Sequence, residues 1–110
     1  MANRSFQDVQ AVQREVKIIT GVMGANVTAK PLGVSTMAID SNNLVITLED
    51  KYNDLVGISV IAKTLTSAFT HVDSVAFADS NKITIDADAA VNAADEFFIT
   101  LFLKNTSVTN

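Results

Sequence analysis

Cysteine is missing from all 110 residues. That excludes disulfides, thiolate metal sites and a cysteine nucleophile. Tryptophan is missing too, and Tyr52 is the only tyrosine, so nothing marks an aromatic platform for sugars. The four glycines are spread singly and do not form a phosphate-cradling loop. Charged residues make up only 18% of the chain, against about 25% in typical domains. The eight Lys and Arg residues are scattered and the net charge is −4. A phosphate backbone needs clustered cations, so nucleic acid is not an expected partner. No apolar run approaches the ~18 residues of a membrane span. The start, MANRSFQDVQ, lacks the apolar core of a signal peptide. The expectation is a soluble chain made in a cytoplasm. Asn26-Val27-Thr28 and Asn105-Thr106-Ser107 then match the glycosylation pattern only by coincidence.

What the chain does have is an ordinary apolar content, 48%, with Ser, Thr and Asn standing in for the missing charge. That mixture suits strands and turns. The length fits one domain, which buries roughly two-thirds of the surface its unfolded chain exposes. Residues 1–13 (MANRSFQDVQAVQ) are polar, with Phe6, Val9 and Val12 spaced three apart. They read as a short helical turn, a docking arm or a loose terminus. Residues 14–110 read as a single β domain. A strand is predicted over Arg14–Val22, broken at Gly21 and Gly24, with 24–32 a loop because Pro31 cannot sit in a central strand. GVSTMAI (33–39) and LVITLE (44–49) flank the turn DSNN and predict a hairpin. Residues 54–65 are dense in Val and Ile and read as a strand with a bulge at Gly57, although a helix over 55–69 is an alternative. VDSVAFA (72–78) and KITID (82–86) bracket a second turn, DSN. An acidic, alanine-rich loop (86–95) follows, then the strand EFFITLFLK. Six or seven short strands without a long helix predict an all-β domain, a small antiparallel β-sandwich or jelly-roll-like fold with an N-terminal arm.

Candidate chemistry is sparse. Ser67, His71 and Asp73 contain triad residue types, but sequence neighbours in a strand-rich segment are not expected to converge as a triad, and no nucleophile elbow supports one. A surface histidine is the expectation. The acidic loop offers Asp86, Asp88, Asn92, Asp95 and Glu96 as oxygen donors. Set on the calcium-loop pattern, it has Ala90, Val91 and Phe97 where that pattern needs a fifth ligand, a turn glycine and a bidentate carboxylate. A solvated loop is expected there. No enzyme, cofactor, metal site or small-molecule substrate is expected.

EFFITLFLK is apolar on both faces. Phe97, Ile99, Leu101 and Leu103 line one side, and Phe98, Thr100 and Phe102 line the other. Such a strand is covered twice. The second cover is another chain, or else residues 1–13 or 55–69 folded over it. The pieces MANRSF with a following V-Q, REVK (14–17), L-x-DKY-x-DL (48–55) and F-x-x-x-LFLKN (98–105) resemble small structural proteins of tailed bacteriophages. What the resemblance implies is a head decoration (cement) protein, β-rich and homotrimeric. It would sit on the virion's capsid surface with the major capsid protein as partner. A tail or spike component, or a small β-rich binding module, is the alternative. The expected subunit-interface residues are Phe98 and Phe102, with Arg4 as a planar donor and Phe6 as an aromatic anchor on the arm.

Overall fold

A computed structural model describes residues 16–68 and 70–104. The expectations for residues 1–13, including Arg4 and Phe6, fall outside these described residues. Seven strands are present among the described residues: β1 Val16–Met23, β2 Val34–Asp40, β3 Asn43–Leu48, β4 Asp54–Thr64, β5 Val72–Ala78, β6 Lys82–Ala87 and β7 Glu96–Lys104. They form two antiparallel sheets, one of three strands in the order β1-β7-β4 and one of four in the order β2-β3-β6-β5. The all-β sandwich expectation is met, and 54–64 is strand, not helix. That segment pairs with β7 as its in-sheet neighbour, so it cannot be the cover over β7's outer face.

The core follows from period-two alternation on both sheets. Phe97, Ile99, Leu101 and Leu103 of β7 face Leu44, Ile46 and Leu48 of β3 and Ile83, Ile85 and Ala87 of β6, all buried. Each large side chain so buried contributes roughly 1.5–3 kcal/mol. Register shifts at four places adjust this alternation, those between Ala62 and Thr64 and between Val72 and Ser74 lying near strand ends. The one between Val34 and Thr36 lets Val34, Met37 and Ile39 all pack on the core. The one between Leu55 and Gly57 falls where the Gly57 signal placed it.

Three details depart from expectation. The hairpin turn is shorter than DSNN, because Asp40 pairs with Asn43 and only Ser41 and Asn42 lie between the strands, Ser41 at φ 57°. Strand β1 is not broken at Gly21 but runs on to Met23. Gly21 is needed for a different reason: a Cβ there would lie 2.8 Å from the Pro31 ring. Pro31 thus packs against β1, and loop 24–33 runs along the side of the sandwich from β1 to β2.

These contacts set a contrast for mutation. Leu101→Ala, at a position with 0% exposure, should lower unfolding free energy in urea by about 2–5 kcal/mol. Val45→Ala, on the solvent side of β3, should cost within about 1 kcal/mol.

Candidate functional site

The two sheets present different outer faces. On the four-stranded sheet the cross-strand rows are Asp40–Asn43–Asp86–Ser74, Ala38–Val45–Thr84–Ala76 and Thr36–Thr47–Lys82–Ala78. This is a polar, small-residue surface of the kind water covers. On the three-stranded sheet the corresponding rows are Ile18–Phe102–Gly57, Thr20–Thr100–Ser59 and Val22–Phe98–Ile61. Two apolar rows flank one row of hydroxyls.

The apolar rows are open to solvent among the described residues. Ile18 is 55% exposed, Ile61 58% and Phe98 43%. Phe102 is half-buried because its ring lies over Gly57, where an added Cβ would meet Phe102 Cδ2 at 3.9 Å. In the central row Thr20 and Thr100 hydrogen-bond hydroxyl to hydroxyl at 2.9 Å. Charge is confined to the ends. Lys63 donates to Glu96 at 2.8 Å at one end, and the Val16–Lys104–Asp54 row closes the other. A contiguous apolar patch bounded by polar residues is the usual mark of a surface that meets another surface. Phe98 and Phe102, the expected interface residues, both lie on it. Ile18, Val22 and Ile61 complete it. Their part was hidden in the sequence because it depends on which strands flank β7.

A cluster of titratable residues lies elsewhere, at the end of the sandwich where two of the four crossovers between the sheets lie. The 65–71 segment passes from β4 to β5, and the 88–95 loop passes from β6 back to β7. Two aspartates tie them together. Asp95, with 0% exposure, accepts hydrogen bonds from the Thr66 N–H at 2.7 Å, the Thr66 hydroxyl at 2.8 Å and the Asn92 N–H at 2.9 Å. Burial alone would raise its pKa. The Ser67 hydroxyl, the two N–H groups and Thr66 Oγ1 together outweigh burial and hold it at about 2. Ser67 Oγ itself is buried without a partner in good hydrogen-bond geometry. Its effect on Asp95 is therefore one of proximity. Gly24 belongs to the same knot, since a Cβ there would fall 2.4 Å from the Asp95 carbonyl oxygen.

Asp88 is the second tie. It accepts from the Thr70 N–H at 2.7 Å, the His71 N–H at 3.1 Å and the Thr70 hydroxyl at 2.8 Å. The Thr70 hydroxyl, then the Thr70 and His71 N–H groups, hold its pKa at about 2. His71 is exposed, with Nε2 2.9 Å from Asp73 Oδ1 and Nδ1 3.5 Å from Asp88 Oδ2. His71 and Asp73 therefore meet as a surface pair. Ser67 is bonded to neither, so no triad forms. The acidic loop is also less solvated than expected, because Asp88 and Asp95 spend their oxygens on backbone N–H groups and hydroxyls. Among the described residues no group of acidic or imidazole side chains is placed to hold a metal ion.

Asp95→Ala should therefore cost about 2–3 kcal/mol, since it strands charge-bonded donors in a buried site. The pH dependence follows from the sign of the shift. A carboxyl depressed in the folded state stabilises the protein above its unfolded pKa near 3.8 and loses that contribution as pH falls through about 2. Urea titrations between pH 4.5 and 2 should show stability falling in that window. The slope should be shallower in Asp95→Asn, with the remainder carried by Asp88.

No protein-family model matches the chain, and no curated protein or solved structure is detectably similar to it.

Proposed function

We propose that this chain is a non-enzymatic structural subunit of a tailed-bacteriophage virion, a decoration protein that binds the outside of the capsid shell and stabilises it. The observation that carries this reading is the pair of unequal outer faces. One sheet is finished for water, and the other presents Ile18, Val22, Ile61, Phe98 and Phe102 in two ordered rows, with Ile18, Ile61 and Phe98 the most open. A subunit made to assemble needs such a face, and a free-standing enzyme does not. The groups that could have carried chemistry, Asp88 and Asp95, hold loops together. The likeness of MANRSF, REVK, L-x-DKY-x-DL and LFLKN to phage structural proteins supplies the setting. The net charge of −4 suits an exterior position better than one against packaged DNA. On this reading the protein is a homo-oligomer, with a trimer preferred, and its partner is the major capsid protein. Attachment rests on shape and apolar contact, because charge is scarce.

Heads lacking this subunit test the assignment. Added back with a label, the protein should bind to heads to saturation and raise the temperature at which they release DNA. Label found only on tails, or heads that bind the protein without gaining heat resistance, would defeat the decoration role.

A further inference from the structure

We infer that the apolar outer face of the three-stranded sheet is covered by the N-terminal segment, residues 1–15, of a second copy of this chain. The inference deepens the structural reading above, from which it takes only that the chain works as an assembled subunit.

Three observations select this occupant. The first is area. Three strands about 4.8 Å apart and nine residues long present a footprint of roughly 14 by 30 Å, on the order of 400 Å². A stable interface buries about 800 Å² on each partner. Two such sheets stacked face to face fall short, so a further element has to contribute.

The second is the content and length of the chain ahead of β1. Its apolar residues, Phe6, Val9 and Val12, recur every three positions in an otherwise polar stretch. They match an apolar surface in need of a cover. Fifteen residues span up to about 50 Å when extended, longer than the face itself.

The third is where that segment attaches. It joins β1 at Val16, in the end row shared with Lys104 and Asp54. Folding back over its own sheet would need a reversal just before Val16. From Val9 to Ile19 the sequence is VQAVQREVKII, without a Gly, Pro, Asn, Asp or Ser to make that turn. Continuing past the end of the sheet needs no such turn, and it would bring Phe6, Val9 and Val12 within reach of a neighbouring copy's face, where mutual exchange doubles the contact.

The chain has no native cysteine, so site-directed cross-linking is clean. Full-length protein carrying Val9→Cys and Ile61→Cys, treated with a short bismaleimide, should give covalent oligomers. A mixture of the two single variants should give a cross-linked heterodimer. An internally bridged monomer would show that the segment covers its own sheet and would overturn the inference, as would the absence of any bridge between positions 9 and 61. Full-length Phe6→Ser, which leaves both sheets intact, provides an independent reading. Its assembly midpoint in sedimentation should rise by about tenfold or more, as expected for loss of an aromatic anchor. Assembly equal to wild type, or a wild type that is monomeric at every concentration, also overturns it. A monomer that still decorates heads would remove arm exchange and leave the decoration role standing. An arm-exchanged oligomer that ignores heads would do the reverse.

Discussion

Strand β7 is apolar on both faces, and most of the architecture follows from that. As the middle strand of its sheet it is paired along its whole length by β1 and β4. Its inner residues reach 0–4% exposure against the four-stranded sheet. Pairing on both edges forces Ile18 and Val22 on one side, and Gly57 and Ile61 on the other, into line with Phe102 and Phe98. A single strand that reads as apolar twice thereby organises an apolar surface three strands wide. The surface is a consequence of register: a one-residue slip of β1 would bring Lys17 and Ile19 to that face and put Ile18 in the core.

The inner face of β7 can be completed only if the chain crosses correctly between sheets. At the end where β7 begins, two crossovers lie side by side, and neither has strand ladders to satisfy its backbone. Asp95 and Asp88 supply the missing acceptors, each to N–H groups of the opposite crossover. The hydrogen bonds from Val91 N to Ser41 O and from Asp88 N to His71 O extend the tie to the β2–β3 turn and the start of β5. Carboxylates do this better than amides because a charged acceptor binds N–H more strongly. The depressed pKa values of both groups are the electrostatic record of that arrangement.

How much of this could be read from the residues depended on the range of the signal. Alternation and turn chemistry are local, so the strands and the Asp40–Asn43 hairpin were legible, as was the bulge at Gly57. The double-faced character of residues 96–104 was legible for the same reason. Partnership across the sheet is not local. Nothing in VKIITGVM says that Ile18 will lie beside Phe102, or in GISVIA that Ile61 will lie beside Phe98. The expectation that 55–69 could lie over β7 failed on this point, since a β-branched segment satisfies its backbone better as a neighbour in the ladder than as a cover above it. The acidic loop misled in a related way. Asp95 looks like a solvent-facing residue in DADAAVNAADE, and its burial depends on Thr66, Ser67 and Gly24, which are far away in sequence.

The hydroxyl row between the two apolar rows bears on how such a face can exist in water. A continuous stripe of Val, Ile and Phe three strands wide would resemble an aggregation template. Thr20, Thr100 and Ser59 interrupt it at its centre, where β-branched threonine still suits a strand and its methyl group still packs. The Thr20–Thr100 hydrogen bond uses one of that pair's two hydroxyl protons. When the face is wet, the remaining hydroxyl groups bond water, and under a cover they need acceptors to avoid a desolvation penalty. The row therefore favours exposure during folding and leaves any cover few polar groups to meet. In the assembly proposed above, specificity rests on the spacing of the two apolar rows, about 13 Å apart along the strand from Phe98 to Phe102, more than on complementary charge. The register that aligns those rows across three strands is fixed by the same pairing that builds the core.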